Sequence, residues 1–170
     1  MSSPTKHEMS MGIMTLLGSD GDISQYAIDN FTNHDGSADG AYFYASEDYA
    51  RLGELDYPFV HGFCYSKNET DSAFVYSLVA EVSVLREPVD SSNRFVHDQV
   101  GSVVTEGIHG KIDTWVEMIK AQVREDLAVV GIQGTKGFEV LRISDDTLPP
   151  QGQDDIRCFL NFDIQLDKCI

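Results

Sequence analysis

Cations are scarce in this chain: 12 lysines and arginines face 28 aspartates and glutamates over 170 residues, a formal charge of −16. A surface of that sign repels phosphate instead of releasing its counterions, which argues against groove-reading DNA binding. Three uses of the charge remain: solubility, a saline habitat, or a wall past which nucleic acid slides without sticking. Cysteine is sparse as well. Cys64, Cys158 and Cys169 are odd in number and lack CxxC spacing, which argues against a disulfide framework or zinc knuckle and for ordinary thiols in a reducing compartment. No apolar run approaches the roughly 20 residues of a membrane span. Residues Met11 to Leu17 are too short and too glycine-broken for a secretory core, so neither a membrane partner nor an export signal is expected. The GxSxG elbow and the GxGxxG fingerprint are both missing, which removes the sequence context of the standard nucleophile and dinucleotide sites.

What is present is enough for one domain spanning residues 1–170, since a chain this size buries roughly 70% of its unfolded surface. Residues 1–54 read as an N-terminal helical and loop segment. Met1 to Leu17 is a short helix or a mobile arm, weakened by Gly12 and Gly18. Ser19-Asp20-Gly21-Asp22 offers an N-cap, after which Ile23, Tyr26, Ala27 and Phe31 recur at helical spacing. Thr32 to Gly40 is loop, Ala41 to Tyr44 can begin a strand, and Ser46 to Leu52 can form a helical turn.

Residues 55–170 read as the α+β core. Pro58 opens a strand over Phe59 to Tyr65, and Ser66 to Ser72 is a polar, acidic loop. A long strand follows from Phe74 to Leu85, with Phe74, Tyr76, Leu78, Ala80, Val82 and Val84 on one face. Arg94 to Thr105 is either a helix or an amphipathic stretch. Ile112, Trp115, Val116, Ile119, Val123 and Leu127 then form one stripe of a helix from about Lys111 to Val129, which makes Trp115 and Ile119 core residues. Phe138 to Ile143 is a strand and Asp145 to Asp155 a loop. From Ile156 to Leu166 strict alternation places Leu160 and Phe162 in the core. The expected architecture is a four-stranded, largely antiparallel sheet of two hairpins with helices packed on one face.

Candidate chemistry is thin. Asp35-Gly36-Ser37-Ala38-Asp39-Gly40 imitates the start of a calcium loop, but Ser46 stands at its twelfth position, so a plain turn is the better account. His61 and Cys64, three apart in a strand, point to opposite faces and cannot share a metal from that strand alone. Gly107 to Ile112 lacks the hydroxyl that a phosphate loop uses to hold magnesium. No catalytic residue, cofactor or metal is expected, and abundant carboxylates default to a solvated face.

The order of these segments resembles a known family. Leu55-Asp56-Tyr57-Pro58-Phe59-Val60 entering a strand, the Phe74–Leu85 strand after an acidic loop, the Trp115 helix, and the closing Ile156-Arg157-Cys158-Phe159-Leu160-Asn161-Phe162-Asp163-Ile164 are similar to the tail terminator (tail completion, minor tail protein U-like) proteins of long-tailed bacteriophages. The likeness spans roughly residues 55–166. The family begins with one clean helix, whereas glycines interrupt Met1 to Phe31 here. The resemblance implies a non-enzymatic virion protein of the neck, assembled in the host cytoplasm. It would form a six-subunit ring that caps the tail tube protein and offers its other side to the head–tail connector protein. In such a ring the acidic loops holding Glu69, Asp71, Asp145 and Asp146 would line or border the lumen or an interface and leave passing DNA unbound. Alternatives are another connector or stopper, an acidic DNA-mimic inhibitor of a host nucleic-acid enzyme, and an enzyme built from distant carboxylates.

Overall fold

The computed structural model describes residues 3–31, 33, 39–45, 56–85, 107–148 and 155–168. They form an α+β fold with three helices, α1 (Lys6–Ser19), α2 (Gly21–Asn30) and α3 (Ile108–Val129), and five strands. The strands are β1 (Tyr42–Ala45), β2 (Phe59–Glu69), β3 (Ala73–Leu85), β4 (Phe138–Thr147) and β5 (Asp155–Asp167). The sheet order is β1-β2-β3-β5-β4. It is therefore five-stranded and mixed where four antiparallel strands are expected, because the short β1 adds to β2 in parallel, Tyr42 opposite Phe59. A four-residue strand has too little pattern of its own to announce that pairing.

The two hairpins join through β3 and β5, which pair antiparallel from Ala73 opposite Asp167 to Leu85 opposite Asp155. Strand β2 runs on to Glu69, and its Thr70 amide donates to the Ala73 carbonyl, so the expected loop from Ser66 is a tight turn. Strand β4 likewise runs through Asp145 and Asp146, which are ladder residues and not loop residues. Acidic side chains at a strand end look like a loop in sequence, yet the backbone ladder holds them whatever their polarity. The stretches 46–52 and 94–105 lie outside the described residues.

Val60, Tyr76, Leu78, Val82, Leu160, Phe162 and Ile164 form one sheet face and cluster with Met9, Ile13, Leu17, Ile23, Trp115, Ile119 and Val123 of the helices. Helix α1 lies against β1 and β2, α3 lies against β4, and α2 packs on α1 and α3. Trp115, Ile119, Leu160 and Phe162 are all buried. The Trp115 indole donates from Nε1 to the Ile23 carbonyl at 3.1 Å and its ring sits 5.1 Å from that of Phe31, so one side chain ties α2 to α3.

The N-terminal segment is a regular helix and not an arm. Thr5 and Glu8 close a capping box at its start. Ser10 accepts the Cys64 amide at 2.8 Å beside the β2 bulge, and the Pro4 carbonyl accepts from Tyr76 at 2.7 Å and Lys67 at 3.0 Å. Gly12 does not break the helix because tertiary packing occupies its open flank: a Cβ there would meet Ile132 at 2.6 Å. Asp20 ends α1 and caps α2, its Oδ1 accepting from the Ile23 amide at 2.8 Å.

Emptying a fully buried aromatic site and orphaning its acceptor carries a known cost. Trp115→Ala is expected to lose about 3–5 kcal/mol of stability, read from urea unfolding. An unchanged midpoint would place the ring outside the core.

Candidate functional site

The sheet face turned away from the helices carries a polar network that sequence spacing does not reveal. In β5, Asp155 and Arg157 stand two residues apart on this face. Opposite them on β3 are Ser83, which pairs with Arg157, and Glu81, which pairs with Phe159. Asp155 Oδ2 accepts from Arg157 Nε at 2.7 Å, Tyr57 Oη at 3.0 Å and Ser83 Oγ at 3.2 Å. The other arm of the guanidinium, Nη1, lies 3.4 Å from Glu81 Oε1. His61 of β2 stands opposite Glu81 in register, and both residues are 1% exposed.

Burial sets the electrostatics of this network. It raises the Glu81 carboxyl above the usual range, the Arg157 charge offsets that only in part, and Asp155 adds to the rise. Burial also works against ionising Asp155, yet the hydrogen bonds from Arg157 and Tyr57 outweigh it and hold that carboxyl below the usual range. Tyr57 is pushed up by burial and by its bond to Asp155. One arginine thus serves one well-donated carboxylate and one poorly compensated one. Such a pair defines geometry more than it adds stability, because two charges leave water to form it.

The four acidic residues singled out in sequence do not come together. Glu69, at the end of β2, is opposite Phe74, which pairs with Leu166; Asp145 pairs with Leu160. Those rows lie about 20 Å apart along β5 at roughly 3.3 Å per residue. Glu69 binds Lys168 at 2.7 Å, which holds its carboxyl below the usual range. Asp145 binds the mostly buried Lys120 at 2.7 Å, and Glu117 binds the same amine at 2.6 Å, so Asp145 joins β4 to α3. Donating to these carboxylates, to Asp145 first, raises the lysine's pKa against its burial. Of the four, Asp71 and Asp146 alone carry no ion pair among the described residues.

The remaining candidates among the described residues are inert or structural; Cys169 lies outside them. Burial pushes the Cys64 and Cys158 thiols up to about 11, which makes both poor nucleophiles at neutral pH. Asn33, itself buried, accepts the Asp39 amide at 2.6 Å and donates to the carbonyls of Gly40 at 2.8 Å and Tyr57 at 3.2 Å. The far end of the calcium-like stretch is therefore fastened by an amide; Asp35 to Ala38 lie outside the described residues. Among the described residues no group of three or more His, Cys, Asp or Glu side chains is arranged to hold a metal ion, and no helix is long and apolar enough to cross a membrane.

A second surface feature is apolar. A groove of about 620 Å³ runs between α1 and the segment that follows α3, floored by Met11, Leu16, Val130 and Ile132. Its shape depends on Gly131 at φ +73°, where a Cβ would lie 1.9 Å from the Thr135 carbonyl oxygen.

Because the folded Glu81 holds its proton more tightly than the unfolded chain does, stability from this residue falls as pH rises from the unfolded glutamate value of about 4.3 through its raised folded value. Asp155 works in the opposite sense and in a lower window, its contribution being lost as pH falls below about 3.9 and on through its depressed folded value. Glu81→Gln is therefore expected to gain stability relative to the parent as pH rises from about 4 to neutrality. Urea midpoints across that range check it, and a constant difference between the two proteins would contradict it. No protein-family model matches this chain, and no curated protein matches it.

Proposed function

We propose that this chain is a tail terminator of a long-tailed bacteriophage, a structural protein whose six-subunit ring caps the tail tube and receives the head connector without bond chemistry. The observation that carries the reading is the pair of unlike sheet edges. One edge is the short, parallel β1, bearing the exposed Tyr42. The other is the long β4, with exposed Leu141 inside it and Leu148 just beyond. A closed cyclic assembly needs two different patches that meet head to tail, and a sheet with non-equivalent ends supplies them. Exposed apolar side chains beside backbone edges that no described strand pairs are what a sheet presents when another chain is to cover it.

The order of a β2–β3 hairpin, α3 and a β4–β5 hairpin supports the same reading, since it is the order on which the resemblance rests. Charge supports the passage of DNA. At −16 per subunit a ring holds phosphate off its walls, and among the described residues Asp71 and Asp146 have no ion pair to divert them from that role, whereas Glu69 and Asp145 are tied to lysines. The four acids fall into two pairs about 20 Å apart, which disfavours a DNA mimic built on them, since that needs its carboxylates in a continuous phosphate-like array. Connector and stopper proteins share the size and acidity, and binding to portal rings in preference to tail tubes would select them.

Native mass spectrometry and electron microscopy of the protein, alone and with isolated tail tubes, are expected to show a closed ring seated on the tube end. The ring is expected to have negligible affinity for DNA at low salt. A protein that stays monomeric on tubes, or a ring that binds DNA tightly, would overturn the reading.

A further inference from the structure

The groove between α1 and the end of α3 combines three properties that together select an occupant. Its floor is apolar and open: Met11 is 46% exposed, Val130 54% and the neighbouring Val129 71%. Met11 and Val129 lie in helices and Val130 caps α3; burying such side chains contributes on the order of 1.5–3 kcal/mol each, so a partner that covers them gains substantially. Its rim is anionic. Asp20 and Asp126 line it, and a smaller adjoining hollow, which shares Asp20 and Gln122, adds Asp22 and Glu125. None of the described residues lining either hollow is cationic.

The backbone reinforces that sign. Both α1 and α3 end at this groove, and neither has a basic residue in its last turn, so the negative ends of two helix dipoles are uncompensated there. The positive end of α2 also points here, but its roughly half charge is smaller than that of Asp20 and Asp22 beside it, so the rim stays anionic. An apolar floor ringed by carboxylates and carbonyl ends favours one kind of ligand, an amphipathic segment with apolar side chains flanked by Lys or Arg. A second copy of this chain fits poorly, because with 12 cationic residues against 28 acidic ones it brings repulsion to an anionic rim.

We infer that this groove is the docking site for a cationic amphipathic helix presented by a different protein. Its lining is complete within one subunit, so the inference does not rest on the ring reading. The close packing of Gly12 on Ile132 and the positive φ of Gly131 keep the floor preformed, which spares the partner the cost of shaping it.

The test uses the full-length protein and a designed leucine–lysine amphipathic peptide as probe, with a leucine–glutamate peptide of the same pattern as control, read by calorimetry or fluorescence anisotropy. The leucine–lysine peptide is expected to bind, to weaken as salt rises, and to lose about tenfold or more in affinity to a Met11→Lys/Val130→Lys variant, while the control does not bind. Both substituted positions are at least 46% exposed, so the variant should keep the parent's circular dichroism and urea midpoint; if it does not, Met11→Gln/Val130→Gln is read in its place, with the same direction of change. Equal binding to parent and variant would reduce the interaction to the general acidity of the surface and overturn the inference. So would an absence of binding, or self-association that the same substitutions abolish.

Discussion

The antiparallel pairing of β3 with β5 is the constraint on which the rest of the molecule depends. It links segments that are far apart in sequence, and it is the seam that makes two hairpins one sheet. Every other feature is referenced to it. The apolar stripes of both strands fall on the same face because the register holds them there, and α1 and α3 cover that face together. A slip of one residue would exchange Leu160 and Phe162 for Phe159 and Asn161 and turn the packed stripe outward. The same register sets Glu81 and Ser83 beside Asp155 and Arg157 on the reverse face, so the buried ion network and the hydrophobic core are two consequences of a single pairing.

That reverse face explains an apparent excess of buried polarity. Asp155 gathers three donors, and Arg157 spans it and Glu81, so the charge that would otherwise sit alone in the sheet has a counter-ion. The two carboxylates are held unequally, Asp155 by three donors on one oxygen and Glu81 by a 3.4 Å approach of Arg157 without a hydrogen bond. A network of this kind specifies which strands lie side by side, since only this register brings the partners within reach. Its pH responses have opposite signs, Glu81 being raised by burial and Asp155 lowered by its donors.

Much of the fold could be read from the chain, for reasons that differ by element. The alternation from Ile156 to Leu166 and the stripe from Ile112 to Leu127 are local periodicities, each long enough to survive one irregularity. A cap within Ser19-Asp20-Gly21-Asp22 is legible because capping needs only nearby atoms, and the structure places it at Asp20. The missed features are tertiary. Nothing in Tyr42–Ala45 tells that it lies parallel to β2, and nothing local tells that Gly12 faces Ile132 across the helix surface. Asp145 and Asp146 looked like loop because polarity was used as a proxy for solvent, whereas a lysine from α3 reaches Asp145 in the ladder. The Asp155–Arg157–Glu81 network was invisible for the same reason: its members are far apart in sequence and meet only once β3 and β5 are paired. An Asp and an Arg two apart in an alternating strand, facing a Glu in the Phe74–Leu85 strand, is the signal that the sequence carries.

Unlike edges exist because the central pairing leaves a short parallel strand at one end and a long antiparallel one at the other, and the groove exists because α1 and α3 both stop at the same corner of the covered face. The most direct measurement is amide hydrogen exchange read strand by strand on the free protein. If β3–β5 pairing organises the fold, the central amides of these two strands exchange slowest and open together with α3. Fast exchange in β5 in step with β4 while β2 and β3 stay protected would mean that the hairpins open as separate units, and the account would fail.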